Sequence, residues 1–249
     1  MSSYEQFRQE CSNEVTAQGD DKQLQRASIE WISLANPRKY SYHFEWLGRP
    51  IIQYPQDIIA LQELIWRVKP DLIVETGIAH GGSLIFSASM LELNAVCGAS
   101  QASMVVGIDI DIRPHNRAAI ESHPMARRIK MIQGSSTAPA VIEQIRALAK
   151  ERECILVCLD SNHTHEHVLE ELKAYAPLVS VGSYCVVFDT VIDDLPSNSF
   201  PDRPWGKGNN PKTAVHDWLR ENPEFEIDVS IDHKLLITVA PHGFLRRIR

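Results

Sequence analysis

Residues 71–83 read DLIVETGIAHGGS, and this stretch decides the fold. An apolar run from Leu72 to Val74 ends in the acid Glu75 and is followed by a turn that carries three glycines. The pattern predicts a buried parallel strand that passes into a helix, because glycine tolerates positive φ and lets a ligand approach the backbone. The helix N-terminus would offer unpaired N–H groups to an anionic group. The spacing Glu-x-Gly-x-x-x-Gly-Gly-Ser differs from the Gly-x-Gly-x-x-Gly of a dinucleotide site, so the turn predicts another small, charged ligand.

Composition limits the class of protein. The chain has 249 residues, enough for one α/β domain with a full core, and a formal net charge of −7. That charge argues against a nucleic-acid-binding surface. The polar start, MSSYEQFRQECSNE, and the lack of a long apolar stretch predict neither a signal peptide nor a membrane span. Five scattered cysteines fit reduced thiols, so we expect a cytoplasmic protein.

Strand-like and helix-like segments alternate along most of the chain. Helices are predicted at 2–17, 22–35, 55–68, 82–94, 115–122, 137–150, 164–175 and 211–221. Strands are predicted at 72–75, 104–109, 129–133, 154–159, 183–188, 225–230 and 234–239, after a strand–turn–strand at 43–55 with its turn at Gly48-Arg49-Pro50. This order predicts an α/β fold with a mostly parallel seven-stranded sheet and helices on both faces. We expect residues 1–40 to form an N-terminal helical arm and residues 41–249 the α/β domain.

Polar residues follow each of the five predicted parallel strands. The first, second, fourth and fifth strands lead to Glu75, Asp109, Asp160 and Asp189, and the third leads to Gln133-Gly134-Ser135-Ser136. Ligands bind at the carboxyl ends of such strands, so these residues predict one shared site. Asp109 is placed to bond both ribose hydroxyls of an adenosine, as acids do in nucleotide-binding folds. The alternative is a helix N-cap or loop acid.

Four segments resemble one known family. The run Glu75 to Ser83, followed by Asp109 and Asp160, is similar to class I S-adenosylmethionine-dependent methyltransferases. More closely, the chain resembles the cephalosporin hydroxylase / rhamnosyl O-methyltransferase family over roughly residues 40–240. The segments that carry this resemblance are WLGRPIIQYPQDI (46–58), KPDLIVETGIAHGGS (69–83), LDSNHTHEHVLEEL (159–172) and PWGKGNNPKTAV (204–215). The resemblance implies a Rossmann-like class I methyltransferase fold and self-association. It also implies methyl transfer to a hydroxyl of a sugar, a glycolipid or polysaccharide, or a small natural product.

The resemblance also implies where the cofactor lies. It places the methionine part of S-adenosylmethionine against Glu75, Thr76, Gly77, Gly81, Gly82 and Ser83, with Asp160 nearby. Asp109 would hold the ribose, and Ser135 and Ser136 would border the adenine. The cofactor carries an ammonium and a sulfonium group, which suits an acid beside a glycine turn. It has no pyrophosphate, which agrees with the absence of the dinucleotide spacing.

A magnesium site is implied at the ends of the fourth and fifth strands. The resemblance predicts Asp160 plus a Glu-Asp pair, but this chain reads Phe188-Asp189, so the predicted ligands are Asp160 and Asp189. Asp193 or Asp194 could supply the missing ligand, or the site could be free of metal. A zinc site made by His163, His165 and His167 is not expected, because side chains at i and i+2 point apart.

Asp160 and His163 are the candidate catalytic residues. Methyl transfer to a hydroxyl requires removal of its proton, and imidazole titrates in the useful pH range. A bound Mg²⁺ could instead lower the pKa of the hydroxyl, and His163 could simply cap the next helix. Trp205, in the loop 196–210, could stack on a sugar or belong to a plain connection. The aromatic residues Trp31, Tyr40, Tyr42, Phe44 and Trp46 could form another substrate wall or the seam between arm and domain.

Two other functions stay open. One is an oxygenase component related to cephalosporin hydroxylase, although the sequence shows no His-x-Asp…His iron triad with clear spacing and no flavin motif. The other is a non-catalytic S-adenosylmethionine-binding subunit, which Phe188 in place of an acid would favour.

Overall fold

A seven-stranded sheet with helices on both faces organises the computed structural model, which describes residues 2–249. The helices are α1 (Ser3–Asp20), α2 (Lys22–Ala35), α3 (Pro55–Val68), α4 (Gly82–Val96), α5 (Pro114–Glu121), α6 (Pro139–Ala149), α7 (His165–Tyr175), α8 (Pro211–Leu219) and α9 (Val229–Leu235). The strands are β1 (Phe44–Trp46), β2 (Arg49–Ile51), β3 (Leu72–Thr76), β4 (Met104–Asp109), β5 (Ile129–Gln133), β6 (Ile155–Leu159), β7 (Tyr184–Val187), β8 (Phe225–Ile227) and β9 (Phe244–Arg247).

The sheet has the order β5-β4-β3-β6-β7-β9-β8. Its first five strands run parallel, and β9 is antiparallel to both β7 and β8. Strand β3 is the central one of the five parallel strands and is buried along its whole length. Alternate residues of β3 enter opposite cores, with Ile73 on one face and Leu72 and Val74 on the other. The predicted mostly parallel, seven-stranded α/β sheet is confirmed.

The end of the chain differs from the prediction. The predicted strand 234–239 is wrong, because α9 extends to Leu235 and the last strand is β9. The apolar segment after α9 is held against α3 instead of the sheet: the buried Asp57 carboxylate accepts hydrogen bonds from the Thr238 hydroxyl and the Val239 N–H. Strand β9 was missed because two arginines follow its two buried residues, Phe244 and Leu245, and weaken the apolar pattern.

The β1–β2 hairpin turns one step earlier than predicted. Leu47 and Gly48 form the turn, while Arg49 and Pro50 belong to β2 and pair with Trp46 and Glu45. Both turn residues have positive φ, 46° and 80°, as a two-residue hairpin turn of type I′ requires.

The N-terminal helices pack against the domain. Helix α1 contacts α9, and Ile32 of α2 lies in a core cluster with Tyr54, Val191 and Leu195. Tyr40 packs edge-to-face against Trp31, Phe44 and Tyr54, which places most of the aromatic group in the seam between arm and domain. The division of the chain at residue 40 stays a prediction. In residues 2–249 no helix is both long and apolar enough to cross a membrane.

Candidate functional site

The turn between β3 and α4 is packed closely against neighbouring backbone. Gly77 and Gly81 have φ values of 90° and 84°, which residues other than glycine rarely adopt. A Cβ on Gly77 would also clash with the Asp160 carbonyl oxygen, and one on Gly82 with the Pro50 carbonyl oxygen. Gly77 therefore requires glycine both for conformation and for space, Gly81 for conformation and Gly82 for space.

Asp109 fixes this turn from the end of β4. Its Oδ2 accepts hydrogen bonds from the N–H groups of Ile78 (2.8 Å) and Ala79 (3.3 Å), and its Oδ1 accepts one from Asp111 N–H (3.0 Å). On the other side, Arg49 donates from Nη2 to the His80 carbonyl oxygen at 2.6 Å. The turn is thus pre-organised by side chains from two neighbouring strands, β4 and β2.

Glu75 and Thr76 support the turn from inside the sheet. Glu75 is 4% exposed and accepts a hydrogen bond from the Ser83 hydroxyl. Burial raises the pKa of Glu75 to about 7, and the bond from Ser83 opposes that rise. Thr76 is fully buried, and its carbonyl oxygen accepts from Asp160 N–H at 3.0 Å, which ties the end of β3 to the residue after β6.

Two adjoining cavities of about 150 and 210 Å³ lie over this turn. Both are lined by Gly77, Asp109 and Ser161, and we call them together the glycine-turn cleft. The smaller one is also lined by Gly82, Ser83, Gln53 and Asp160, and the larger one by Ser135, Ser136, Asn162 and His167. The cleft therefore brings together seven of the residues predicted to bind the cofactor; Glu75, Thr76 and Gly81 build the turn beside it.

His167 and Ser161 were missed by the sequence analysis as residues of the cleft. His167 Nε2 lies 3.1 Å from both Ser136 Oγ and Ser161 Oγ, and Ser161 donates to Glu171 Oε1 at 2.7 Å. The hydrogen bond to the buried Glu171 raises the pKa of His167. Ser161, His167 and Glu171 all lie in the segment 159–172, but its sequence does not indicate that they meet Ser136, which comes from the loop after β5.

A third, larger cavity of about 710 Å³ adjoins the cleft, and we call it the large cavity. The residues that line both the cleft and the large cavity are Ile52, Gln53 and Asp160. Its other walls come from the arm (Asn36 and Lys39), from Tyr42 just after it, from the end of β7 (Phe188 and Asp189) and from the long loop that follows (Phe200, Arg203 and Trp205). Of the predicted aromatic wall, Tyr42 lines this cavity, and Trp205 joins it from the loop.

Asp160, His163 and Asp189 form a cluster at the floor of the large cavity. One donor atom from each lies within 4.8 Å of the others, and His163 Nδ1 is 2.9 Å from Asp189 Oδ2. Burial, followed by the negative charge of Asp189, raises the pKa of Asp160 well above its usual range. Asp189 has a φ of 57°, a strained conformation for a residue other than glycine. The ring of Trp205 lies 4.8 Å from that of His163.

The other candidate metal ligands point elsewhere. Asp193 Oδ1 accepts hydrogen bonds from Gly208 N–H and Asn210 Nδ2, and Asp194 pairs with Lys212 Nζ at 2.6 Å. Phe188 is 3% exposed and packs in the core, so it offers no ligand. The third donor beside the two acids is therefore His163, whose sequence position indicates only proton transfer or helix capping.

The three histidines diverge, as their spacing predicts. His165 Nδ1 lies 2.8 Å from Thr213 Oγ1, whereas His167 faces Glu171 and His163 faces Asp189. The cluster itself offers two carboxylates and one imidazole, a donor set that fits a divalent ion. It differs from the two-histidine, one-carboxylate triad of iron oxygenases.

Comparisons with known proteins agree with this architecture. The family model described as Rhamnosyl O-methyltransferase/CmcI matches residues 38–248. The rhamnosyl O-methyltransferase of Mycobacterium leprae (strain TN) is 34% identical over 205 residues, which cover 81% of this chain and 82% of the relative. That of Mycobacterium tuberculosis (strain ATCC 25618 / H37Rv) is 34% identical over 196 residues, 77% of this chain and 73% of the relative.

A solved structure of CmcI, described with Mg and SAM, has the same fold. It is 18% identical to this chain, with a TM-score of 0.57, and the match covers 84% of this chain and 78% of that one. The predicted Rossmann-like class I fold is thereby confirmed. The family match likewise confirms the predicted enzyme class, an S-adenosylmethionine-dependent O-methyltransferase. The chain therefore belongs to the Rhamnosyl O-methyltransferase/CmcI family.

Proposed function

We propose that the protein transfers the methyl group of S-adenosylmethionine to a hydroxyl of a sugar, carried by a glycolipid, a polysaccharide or a small natural product. The observation that carries this proposal is that the glycine-turn cleft and the large cavity meet at Asp160, which lines both. A donor in the cleft and an acceptor in the cavity would meet beside a cluster of titratable groups. The names of the curated relatives, rhamnosyl O-methyltransferases, favour a sugar acceptor.

In this proposal the cleft holds the donor. The methionine part lies in the smaller cavity, against Gly77, Gly82, Ser83 and Asp160, over the turn that Glu75, Thr76 and Gly81 support. The ribose lies at Asp109 and the adenine beside Ser135 and Ser136 in the larger cavity. The N-terminus of α4 offers N–H groups to the carboxylate of the methionine part.

The acceptor hydroxyl is activated by the cluster at the floor of the large cavity. Its oxygen bonds to the methyl carbon as the carbon–sulfur bond breaks, which leaves S-adenosylhomocysteine, and its proton passes to His163 or Asp160. Asp189 orients the imidazole through the 2.9 Å contact to Nδ1 and stabilises it once it is protonated. Holding donor and acceptor in line supplies most of the rate enhancement in such a displacement.

Asp160 and Asp189 are the proposed ligands of a divalent ion, Mg²⁺, with His163 as the third donor of the cluster. When bound, such an ion lowers the pKa of a coordinated hydroxyl. Carboxylate oxygens suit Mg²⁺, and the imidazole extends the fit to manganese and similar transition-metal ions.

The walls of the large cavity suit a sugar. Trp205 and Tyr42 bring aromatic rings to the cavity, each with a cation over it (Arg203 and Lys39), and these cations and Asn36 offer polar groups to hydroxyls. Self-association and a cytoplasmic location complete the proposal. The exposed Tyr4 and Phe7 of α1 support self-association through the arm, and the five free cysteines support a reducing compartment.

Calorimetric titration with S-adenosylmethionine and S-adenosylhomocysteine tests the donor site. The wild-type protein should bind both, and Asp109→Ala should weaken binding by about tenfold or more, because the variant loses an acceptor for the ribose and the brace of the turn. Asp111→Ala, two residues on and exposed, is the matched control and should bind as the wild type does. A wild-type protein that binds neither ligand would contradict the proposed function, because that function requires S-adenosylmethionine as the donor.

A further inference from the structure

One buried amide lies where the glycine-turn cleft meets the large cavity. Gln53 is 5% exposed, and its Oε1 has no hydrogen-bond partner among residues 2–249. Buried polar side chains are nearly always hydrogen-bonded, so an unpaired amide oxygen that lines a cavity indicates a ligand group. Gln53 lines both the smaller cavity of the cleft and the large cavity.

The backbone places this amide near the start of α4. Gln53 follows β2, and this stretch of chain runs directly against the glycine turn, because a Cβ on Gly82 would lie 2.7 Å from Ile51 Cα. Gln53 thus shares the smaller cavity with Gly82 and Ser83, at the helix N-terminus. In the proposed function, on which this inference rests, that cavity holds the amino-acid end of the donor.

The amino-acid end carries a carboxylate and an ammonium group, and the two need different partners. The helix N-terminus supplies N–H donors for the carboxylate. The ammonium needs oxygen acceptors, and Glu75 already binds the Ser83 hydroxyl. We propose that Gln53 Oε1 accepts a hydrogen bond from the α-ammonium group of S-adenosylmethionine, beside Asp160.

Such a contact has two consequences for recognition. The site selects donors that carry a free α-amino group, so it distinguishes S-adenosylmethionine and S-adenosylhomocysteine from 5′-methylthioadenosine, which lacks the amino-acid end. It also places Gln53, in contact with the donor, at the boundary between the cleft and the large cavity. An acceptor in the large cavity therefore reaches the donor only at its methyl end.

Calorimetric titration of three ligands tests the assignment. S-adenosylmethionine, S-adenosylhomocysteine and 5′-methylthioadenosine are titrated into the wild-type protein, Gln53→Ala and Gln53→Glu. Gln53→Ala should bind the two amino-acid-bearing ligands about tenfold to a hundredfold more weakly, as expected for a lost hydrogen bond to a charged group. Its affinity for methylthioadenosine should be unchanged. Gln53→Glu should keep or exceed the wild-type affinity for S-adenosylmethionine, because a carboxylate also accepts from an ammonium group.

Gln56→Ala is the matched control. Gln56 also has a buried Oε1 without a partner, but it sits in the first turn of α3 and is not among the residues that line the two cavities. The variant should bind all three ligands as the wild type does.

Three results would overturn the assignment. They are wild-type S-adenosylmethionine affinity in Gln53→Ala, an equal loss for methylthioadenosine, and weaker binding by Gln53→Glu than by Gln53→Ala, which would mean that the amide donates to the carboxylate. Each differs from a failure of the proposed function, in which the wild-type protein itself binds neither S-adenosylmethionine nor S-adenosylhomocysteine.

Discussion

The glycine-turn cleft and the large cavity share Asp160, yet they are built in different ways. The cleft rests on neighbouring parallel strands, and its key acid, Asp109, already accepts three backbone hydrogen bonds. The large cavity draws on the arm, the end of β7 and the long loop after it, segments far apart in sequence. Its acids Asp160 and Asp189 face each other and a histidine.

This difference assigns donor binding to the cleft and proton transfer to the large cavity. An acid that accepts several backbone N–H groups, as Asp109 does, fixes the backbone around it and contributes to a pre-organised site. In the large cavity, burial and the charge of Asp189 raise the pKa of Asp160, and a carboxyl with a raised pKa is a candidate for proton transfer. We therefore expect changes in the cleft to alter donor affinity or stability, and changes in the cavity to alter turnover.

The largest expected effect is on turnover. His163→Ala should lower the rate of methyl transfer by about 10²- to 10⁴-fold, the usual contribution of a general base. The affinity for S-adenosylmethionine should not change, because His163 lines the large cavity rather than the cleft. Formation of S-adenosylhomocysteine, with a rhamnosyl glycoside as acceptor, measures the rate, and calorimetry measures the affinity.

His165→Ala is the control for this prediction. His165 lies two residues further on and contacts Thr213 and Asn209 outside the cluster, so its removal should leave turnover unchanged. Full activity in His163→Ala would show that His163 is not the general base, and a loss of donor affinity would show that cleft and cavity are not separable.

A smaller effect concerns the backbone of the cleft. Gly77→Ala forces a side chain into positive φ and against the Asp160 carbonyl oxygen, whereas Gly98→Ala meets the same φ with nothing within 4 Å. The shared strain costs about 1–2 kcal/mol, and the clash adds about 1–3 kcal/mol for Gly77 alone. Urea unfolding should therefore show a clearly larger loss of stability for Gly77→Ala. Equal losses would mean that the turn has room that the structure does not show.

Helix ends, strands and the cleft could be predicted from the sequence where short local patterns determine them. Pro55 and Lys69-Pro70 set the ends of α3, and the apolar run 104–109 is β4 as predicted. The cleft was predictable in the same way, because glycines and strand-end acids record local backbone geometry. The strand 234–239 was wrong because an apolar run does not say what it will pack on: here a buried Asp57 holds it away from the sheet.

The cavity was less predictable, since its contacts join distant segments. The sequence marks Asp160, His163 and Asp189 one by one, but not the pairing of His163 with Asp189 or the contact of the Trp205 ring with the imidazole. Gln53 carries no sequence signal of its own. Its importance comes from burial between two cavities, which depends on the fold as a whole.

The smallest expected effect is on the pH dependence of the free energy of unfolding. It comes from two buried acids near Asp160. Burial raises the pKa of Glu75, under the cleft, and of Asp57, behind the large cavity, to about 7 in each case. For Asp57 the bonds from Thr238 and Val239 oppose that rise, and the charge of Asp189 adds to it.

Since both acids bind protons more tightly when folded than when unfolded, the free energy of unfolding falls as the pH rises from about 4 to about 7. Asp57→Asn removes one of these acids, so between pH 5 and pH 8 the variant should gain on the order of 2 kcal/mol relative to the wild type. Urea unfolding at the two pH values measures the gain, and Glu75→Gln is the matched change under the cleft. An equal gain from both variants would make burial the common cause. A larger gain from Asp57→Asn would locate the excess in the charge of Asp189, and a gain from neither would mean that these acids stay ionised in the folded protein.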